Sequence, residues 1–204
     1  EPGAKVEGRL TLNGRPRPLT RTDASVRRDA GIGHIPEDRQ VDGLVPDFTI
    51  AENLMLNRSF SSPFVKNGVV LIGALRDFAE ATMTKYDVRA RDIDTLAGNL
   101  SGGNQQKVVV ARELSRDLKL LVAAQPTRGV DVGSIEFIHK QIVAARDSGV
   151  PVLLVSTELD EVVALADRIM VLYRGRVVGI VGPDTPREKL GLMMTGERPQ
   201  DVVA

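Results

Sequence analysis

The octapeptide Leu100–Lys107, which reads Leu-Ser-Gly-Gly-Asn-Gln-Gln-Lys, is the segment best suited to chemistry in this chain. Ser101 is a residue type that caps helices, and the apolar pattern after it predicts a helix beginning here. Gly102 and Gly103 leave the first helical amides uncovered by any Cβ. Free amides at the positive end of a helix dipole bind anions, so the segment predicts a site for a terminal phosphate. For Ser-Gly-Gly alone, a capped helix with flexible glycines would be the simpler interpretation.

The full octapeptide resembles the signature motif of the ABC ATPases, and two other segments resemble motifs of the same family. Pro126–Asp131 follows an apolar run and resembles the loop that carries an aspartate, here Asp131, across the interface between two ATPase domains. Ile35–Arg39 lies where the family has its Q-loop, and Glu37 takes the place of the glutamine. The resemblance therefore implies a protein that works with ATP.

The resemblance extends along nearly the whole chain and points to one branch of the family. Ser156–Glu161 and Ala166–Ile169 match strand-to-helix segments downstream of the interface loop. The combination is most similar to the second ATPase domain of importers for simple sugars and nucleosides, and Ala123–Gly129 favours the nucleoside branch. The chain begins at Glu1 without a methionine, which we interpret as a cut inside a longer chain.

Four positions depart from the pattern of an active ATPase. The family has Asp-Glu before its Pro-Thr pair, to order magnesium and polarise the attacking water, whereas this chain has Ala124 and Gln125. Thr157 replaces a phosphate-sensing histidine, and Glu37 puts the magnesium contact of the Q-loop in doubt. The sequence also lacks a Gly-Lys dipeptide and hence the phosphate loop that precedes these motifs in the family. We expect no intact catalytic residue, no metal site and no activity in this chain alone.

The resemblance implies a division of labour in a head-to-tail pair of ATPase domains. Ser101, Gly102, Gly103 and Gln105 would contact ATP held by the phosphate loop of the first ATPase domain of the same parent protein. ATP and Mg²⁺ would belong to that parent assembly, with neither bound to this chain alone. The other implied partners are membrane permease subunits and, indirectly, an extracytoplasmic solute-binding protein. The parent would hydrolyse ATP on the cytoplasmic face of the membrane, bound there through the permease.

Two other functions remain open at this point. The substituted motifs would suit a non-catalytic regulatory or interaction module of an ABC-type protein. An ABC protein that acts on nucleic acid or ribosomes is the weaker alternative, because 27 basic and 27 acidic residues leave no net charge. The sequence has no cysteine, which excludes disulfides and thiolate metal sites. Its apolar runs are far shorter than the roughly 20 residues of a transmembrane helix.

Local sequence patterns predict several individual elements. Apolar and polar residues alternate in Val6–Leu12, and the Asn13-Gly14 turn signal that follows predicts an antiparallel ribbon. The pattern from Phe48 to about Glu113 predicts an all-helical insertion. The apolar run Leu120–Ala124 predicts a buried strand, and Arg174-Gly175 predicts the turn of a closing hairpin.

The pattern of apolar residues predicts an α/β fold. Together with the resemblance, it indicates a partial P-loop NTPase with a mostly parallel sheet, an N-terminal antiparallel ribbon and a helical insertion. We expect an ATPase-core segment at 1–47 with the ribbon and Q-loop-like strand. A helical subdomain with the signature motif follows at 48–116, and the rest of the ATPase core at 117–204.

The resemblance also implies a gap in the sheet. In the family, the strand that feeds the phosphate loop lies between the equivalents of Val152–Val155 and Ile169–Tyr173. Without that strand, its neighbours would expose unpaired backbone groups, each costing on the order of 1 to 3 kcal/mol if buried. We expect the gap to close by sliding, by exchange of an element, or by association between copies of the chain.

Overall fold

A computed structural model describes residues 8, 10–12, 14–17, 23–58 and 64–197. The chain divides into two compact units, Glu1–Leu153 and Leu154–Ala204. The α-helices and β-strands of the described residues are, in chain order, β1 Leu10–Leu12, β2 Arg15–Arg17, α1 Ala24–Asp29, β3 Ile32–Ile35, α2 Ile50–Met55, β4 Val65–Lys66, β5 Val69–Val70, α3 Ile72–Lys85, α4 Gly102–Leu114, β6 Leu120–Ala124, α5 Val132–Asp147, β7 Val152–Val155, α6 Leu159–Leu165, β8 Ile169–Tyr173, β9 Arg176–Val181 and α7 Arg187–Met194. A short π-helix, Arg39–Gly43, follows β3, and short 3-10 helices lie at Leu56–Arg58 and Ala97–Asn99.

The main sheet has β6 in the middle, between β3 and β7. β3 runs parallel to β6, and Ile32 pairs with Leu120. The apolar sequence of β6 suits this central position, and Leu121 and Ala123 are fully buried. Pro36 ends β3, so the charged residues after it leave the sheet as a loop. The predicted parallel sheet is therefore confirmed for these two strands.

The N-terminal ribbon is also confirmed. β1 and β2 pair in antiparallel register, with Leu12 opposite Arg15, and Gly14 in the connection has a φ of +71°. Such a left-handed conformation suits the Asn-Gly turn signal of the sequence. The predicted start of the ribbon at Val6 lies outside the described residues.

The insertion contains helices α2, α3 and α4. The sequence pattern predicts that it is entirely helical, and this prediction is wrong. β4 and β5 form a short antiparallel hairpin ahead of α3. Asn67 and Gly68 form its turn with φ values of +51° and +78°. Two successive positive φ values are typical of a type I′ turn, for which Asn-Gly is the favoured pair. The division at residues 48 and 116 stays a prediction.

Helix α4 lies at the centre of the first unit and is buried along most of its length. Val108, Val109, Val110 and Ala111 have no exposed surface, so the helix is covered on several faces rather than along one stripe. It contacts α2, α3, α5 and β3. This packing fixes the direction and position of its first turn, which carries the glycines.

The second unit is built around the hairpin of β8 and β9. Arg174 and Gly175 form its turn, with φ values of +46° and +75°, as the sequence predicts for a closing hairpin. Leu190 and Met193 of α7 pack on the buried face of the hairpin. Among the described strands, β8 is hydrogen-bonded to β9 alone and β7 to β6 alone. The expected gap and its closure by association stay predictions.

Candidate nucleotide site at the start of helix α4

The start of α4 has the capped geometry that the sequence predicts. Ser101 is in the extended conformation, and its hydroxyl oxygen accepts a hydrogen bond from the Asn104 amide at 3.4 Å. The side-chain amide of Asn104 donates to the same oxygen at 3.0 Å. Among the described residues, the backbone amides of Gly102 and Gly103 have no acceptor. These two amides are therefore available to an anion.

The two glycines are also required by close packing. A Cβ on Gly102 would lie 2.6 Å from Nη2 of Arg39 and 3.1 Å from the carbonyl oxygen of Gly129. A Cβ on Gly103 would overlap the Ser134 hydroxyl and the Asp131 carboxylate. The helix start thus lies directly against the loop after β6, a contact that the sequence does not reveal.

Asp131, the predicted interface aspartate, caps helix α5. Its carboxylate oxygens accept from the backbone amide of Ser134 at 2.9 Å and from the Ser134 hydroxyl at 2.8 Å. The hydrogen bond from the Ser134 backbone amide lowers the pKa of Asp131 most, and the hydrogen bond from the Ser134 hydroxyl lowers it further. The carboxylate is therefore ionised at neutral pH and fixed beside Gly103. Its role at an interface between two ATPase domains stays a prediction.

Arg39 connects the loop after β3 to both of these segments. Its Nη1 donates to the carbonyl oxygen of Arg128 at 2.8 Å, and its Nη2 donates to that of Gly129 at 3.2 Å. Its Nε donates to Oε1 of Gln105 at 3.4 Å. Analysis of the sequence alone did not single out Arg39. Within the family resemblance it is only the last residue of the Q-loop-like segment.

Gln105 is nearly fully buried, with 4% of its surface exposed. Besides accepting from Arg39, it accepts a hydrogen bond from Gln40 and donates one to the carbonyl oxygen of Ala97. The structure thus places Gln105 inside the unit, beneath the helix start. Its predicted contact with ATP stays a prediction.

Glu37 forms an ion pair with Arg128 and is exposed. Its carboxylate therefore faces a guanidinium group in the loop after β6. Together with the bonds of Arg39, this pair connects the loop at 37–39 to the loop at 128–129 at three points.

The end of β6 holds Ala124 and Gln125, the positions at which the sequence resemblance predicts the catalytic carboxylates of the family. Ala124 is the last residue of the strand, and Gln125 follows with a φ of +48°. The side-chain amide of Gln106 donates to the carbonyl oxygen of Pro126 at 2.8 Å, which attaches this loop to α4. Neither a methyl group nor a neutral amide provides the anionic oxygen that Mg²⁺ prefers. These residues do not fit a magnesium ion, whereas the free amides of α4 fit a phosphate.

Thr157 belongs to the second unit, in the segment between β7 and α6, and is exposed. Next to it, the Ser156 hydroxyl oxygen accepts from the Glu158 amide at 3.0 Å. In the described ranges, no three His, Asp or Glu side chains come together as a metal site.

The other polar residues of the octapeptide hold α4 in place. Nζ of Lys107 bonds the Asp87 carboxylate at 2.6 Å and the carbonyl oxygen of Asp87 at 2.9 Å, and it lies 4.8 Å from the centre of the Phe137 ring. The hydrogen bond from Lys107 lowers the pKa of Asp87 most, and a hydrogen bond from Arg89 lowers it further. Asn104 accepts from the Arg89 amide at 2.8 Å. These contacts are structural.

A buried carboxylate near the other end of α4 fixes the strand that leads to the loop at 37–39. Glu113 accepts from the backbone amide of His34 in β3 at 3.3 Å, and also from the side chains of Asn57, Arg112 and Arg116. Because these donors neutralise its charge, Glu113 can remain buried. Both ends of α4 are therefore bonded to β3 or to the loop that follows it.

Comparison with known proteins identifies the family. Residues 3–128 match the model of a family described as "ABC transporter". The chain is 46% identical over 196 residues to the guanosine import ATP-binding protein NupO of Bacillus subtilis, covering 93% of this chain and 37% of that protein. It is 46% identical over 193 residues to the glucose import ATP-binding protein TsgD13 of Haloferax volcanii, with coverages of 93% and 34%. The chain thus spans little more than a third of the length of these relatives.

Solved structures support the same fold. The dimeric ATP-binding cassette MJ0796 in a post-hydrolysis state with ADP and Pi superimposes with a TM-score of 0.71 at 24% identity, covering 87% of this chain and 74% of that one. The cassette MJ1267 in its ADP conformation gives 0.65 at 20% identity, with coverages of 93% and 73%. At these identities, the similarity concerns the fold alone. Among the described residues, none of the helices combines the length and the apolar character of a membrane span. With the family match, these findings show that the chain belongs to the ABC transporter family and has the α/β fold of its ATPases.

Proposed function

We propose that this chain is the signature-bearing part of the ATP-binding subunit of an ABC importer for nucleosides or simple sugars. The observation that carries the proposal is the start of α4, where the amides of Gly102 and Gly103 lack acceptors among the described residues. A helix start of this kind suits the terminal phosphate of ATP. Relatives named for guanosine, nucleoside, glucose and ribose import support the importer role.

In the proposed assembly, ATP is bound mainly by another ATPase domain, the first one of the same parent protein. That domain contributes the phosphate loop, the magnesium ligands and the carboxylate that polarises water. Ser101, Gly102 and Gly103 of this chain complete the site by donating amides to the γ-phosphate. The site formed around Ala124 and Gln125 serves structure rather than hydrolysis.

The proposed partners follow from the importer role. Permease subunits would hold the protein on the cytoplasmic face of the membrane, and an extracytoplasmic solute-binding protein would act through them. Of the two solute classes we favour nucleosides, on the resemblance of Ala123–Gly129. Uptake of labelled guanosine and labelled ribose by cells with and without the transporter separates these classes.

The central test is ATPase activity of the full-length protein reconstituted with its permease. We expect Ser101→Arg to abolish solute-stimulated hydrolysis, because the long side chain would block the approach of the phosphate to the free amides. Ser148→Arg is the matched control, since Ser148 is an exposed serine that caps the C-terminal end of α5 rather than the N-terminal end of a helix. Wild-type activity in Ser101→Arg would contradict the proposed role of the signature.

A second candidate function is a non-catalytic regulatory module, which the neutral pair Ala124 and Gln125 favours. The two functions predict different effects of Ser101→Arg. If the chain is a regulatory module, the substitution should leave the basal rate of ATP hydrolysis unchanged and alter only the stimulation of that rate by solute. In both cases we expect the 204-residue chain alone neither to bind nor to hydrolyse Mg-ATP. Calorimetric titration tests this, and micromolar binding would contradict it.

A further inference from the structure

We infer that Arg39 is a positioning residue that holds the start of α4 and the loop before Asp131 in one arrangement. The bonds of Arg39 to Gln105, Arg128 and Gly129 are called the Arg39 clasp below. The clasp itself rests on the geometry, whereas its consequence for ATP rests on the proposed function.

The clasp connects two segments that meet at the glycines. On one side, Arg39 bonds the carbonyl oxygens of Arg128 and Gly129, which lie two and three residues before Asp131. On the other, it bonds Gln105 and lies over Gly102. Because the guanidinium is planar and rigid, its three N–H groups fix these acceptors relative to one another.

The loop held by the clasp reaches the helix start directly. Asp131 and Ser134 lie so close to Gly103 that a Cβ there would overlap both. Movement of the loop at 128–131 therefore changes the space beside the Gly103 amide. The ion pair of Glu37 with Arg128 adds a second connection between the same loops. The loop after β3 can thus act on the signature glycines through the clasp.

The charge of Arg39 has a further consequence at this position. Its three acceptors are neutral oxygens, and within the described residues it forms no ion pair with a carboxylate. Its Nη2 lies 2.6 Å from the place of a Cβ on Gly102. The guanidinium therefore adds a positive charge to the potential that the helix start offers to an anion.

The first test measures the clasp without ATP. In hydrogen–deuterium exchange of the full-length protein, Arg39→Met should raise exchange in peptides covering 101–105 and 125–131 by about ten-fold, the equivalent of one charge-assisted hydrogen bond. Arg39→Lys should give an intermediate effect, since Lys keeps the charge but not the fork. Arg76→Met is the control, because the Arg76 guanidinium likewise donates side-chain hydrogen bonds, in its case two to the exposed Asp94. Unchanged exchange in both peptides, or an equal rise in the control, would overturn the inference.

The second test separates positioning from general destabilisation. In the reconstituted protein, Arg39→Lys should weaken ATP binding relative to ADP binding by about five-fold, because only ATP has the phosphate that meets the helix start. Loss of ATP and ADP binding in equal proportion would show that Arg39 acts only on the fold. If Ser101→Arg leaves hydrolysis unchanged, the proposed function fails, whereas the exchange result still decides on the clasp.

Discussion

The start of α4 and the end of β6 lie side by side, yet they differ in what they retain of an ATP site. At the start of α4, the serine, the two glycines and the buried glutamine all have contacts that depend on their residue types. At the end of β6, Ala124 and Gln125 offer no negative charge to a metal ion or to an attacking water. The loop after β6 is still bonded to α4 through Pro126 and to Arg39 through Arg128.

The difference indicates that the fold constrains the two regions for different reasons. The loop after β6 must keep its path, because Asp131 and Ser134 pack on Gly103. Carboxylates at positions 124 and 125 are not needed for that path, since the chain has Ala124 and Gln125 there. Under the proposed function, a chain without its own hydrolytic carboxylates can therefore still present the signature to another domain.

The largest expected effect is on the signature itself. Gly102→Asp should reduce ATPase activity of the reconstituted full-length protein by at least about 100-fold, comparable with loss of a donor to a developing charge. The added carboxylate would lie beside Arg39 and repel the γ-phosphate. Gly73→Asp is the matched control, since Gly73 lies in the first turn of α3 and its Cβ position has no heavy atom from outside that turn within 4 Å. An equal loss of ATPase activity in Gly102→Asp and Gly73→Asp would show that the start of α4 has no special role in hydrolysis.

The next effect is on stability. Gly103→Ala should lower the free energy of unfolding by about 2 kcal/mol, because the new methyl group overlaps Ser134 and Asp131. Gly73→Ala, at the same second position of its helix, should instead raise it by up to about 1 kcal/mol. Urea denaturation of the two variants measures both. A similar change in the free energy of unfolding of both variants would show that Ser134 and Asp131 can move aside at little cost.

These predictions depend on contacts that only the structure provides. The sequence correctly predicted the N-cap at Ser101 and the strand Leu120–Ala124, because capping and short apolar runs are local signals. It did not predict the Arg39 clasp, since two of the acceptors are backbone carbonyls 89 and 90 positions away. Every residue type has a backbone carbonyl oxygen, so the sequence does not show which of them accepts a hydrogen bond.

The hairpin of β4 and β5 was missed for a different reason. Its Asn67-Gly68 pair is the same turn signal that identified the N-terminal ribbon. Each strand has only two residues, however, which is too few for an alternating pattern to stand out from the helices around it. A search for turn signals independent of strand length would have found it.

A smaller effect is expected from the polar contact that anchors α4. Asp87→Asn should lower the free energy of unfolding at pH 7 by about 1 kcal/mol, since buried Lys107 loses its charged partner but keeps the Asp87 carbonyl oxygen. Because folding lowers the pKa of Asp87, its stabilisation is complete above the unfolded pKa and disappears as pH falls below about 4. Asp94→Asn is the control, since its partner Arg76 is exposed. A difference between wild type and Asp87→Asn that does not shrink as the pH falls below about 4 would contradict this account.

The smallest effect is expected at the end of β6. Gln125→Ala should change ATPase activity of the full-length protein by less than about two-fold, because a neutral amide has no charge to attract magnesium and does not act as a base toward water. Its effect on stability should stay below about 1 kcal/mol, since glutamine and alanine adopt the left-handed φ of +48° at similar cost. Steady-state assays beside Gly102→Asp give the comparison directly. If Gln125→Ala lost as much activity as Gly102→Asp, hydrolysis would depend on both regions alike. The division of labour between them would then be wrong.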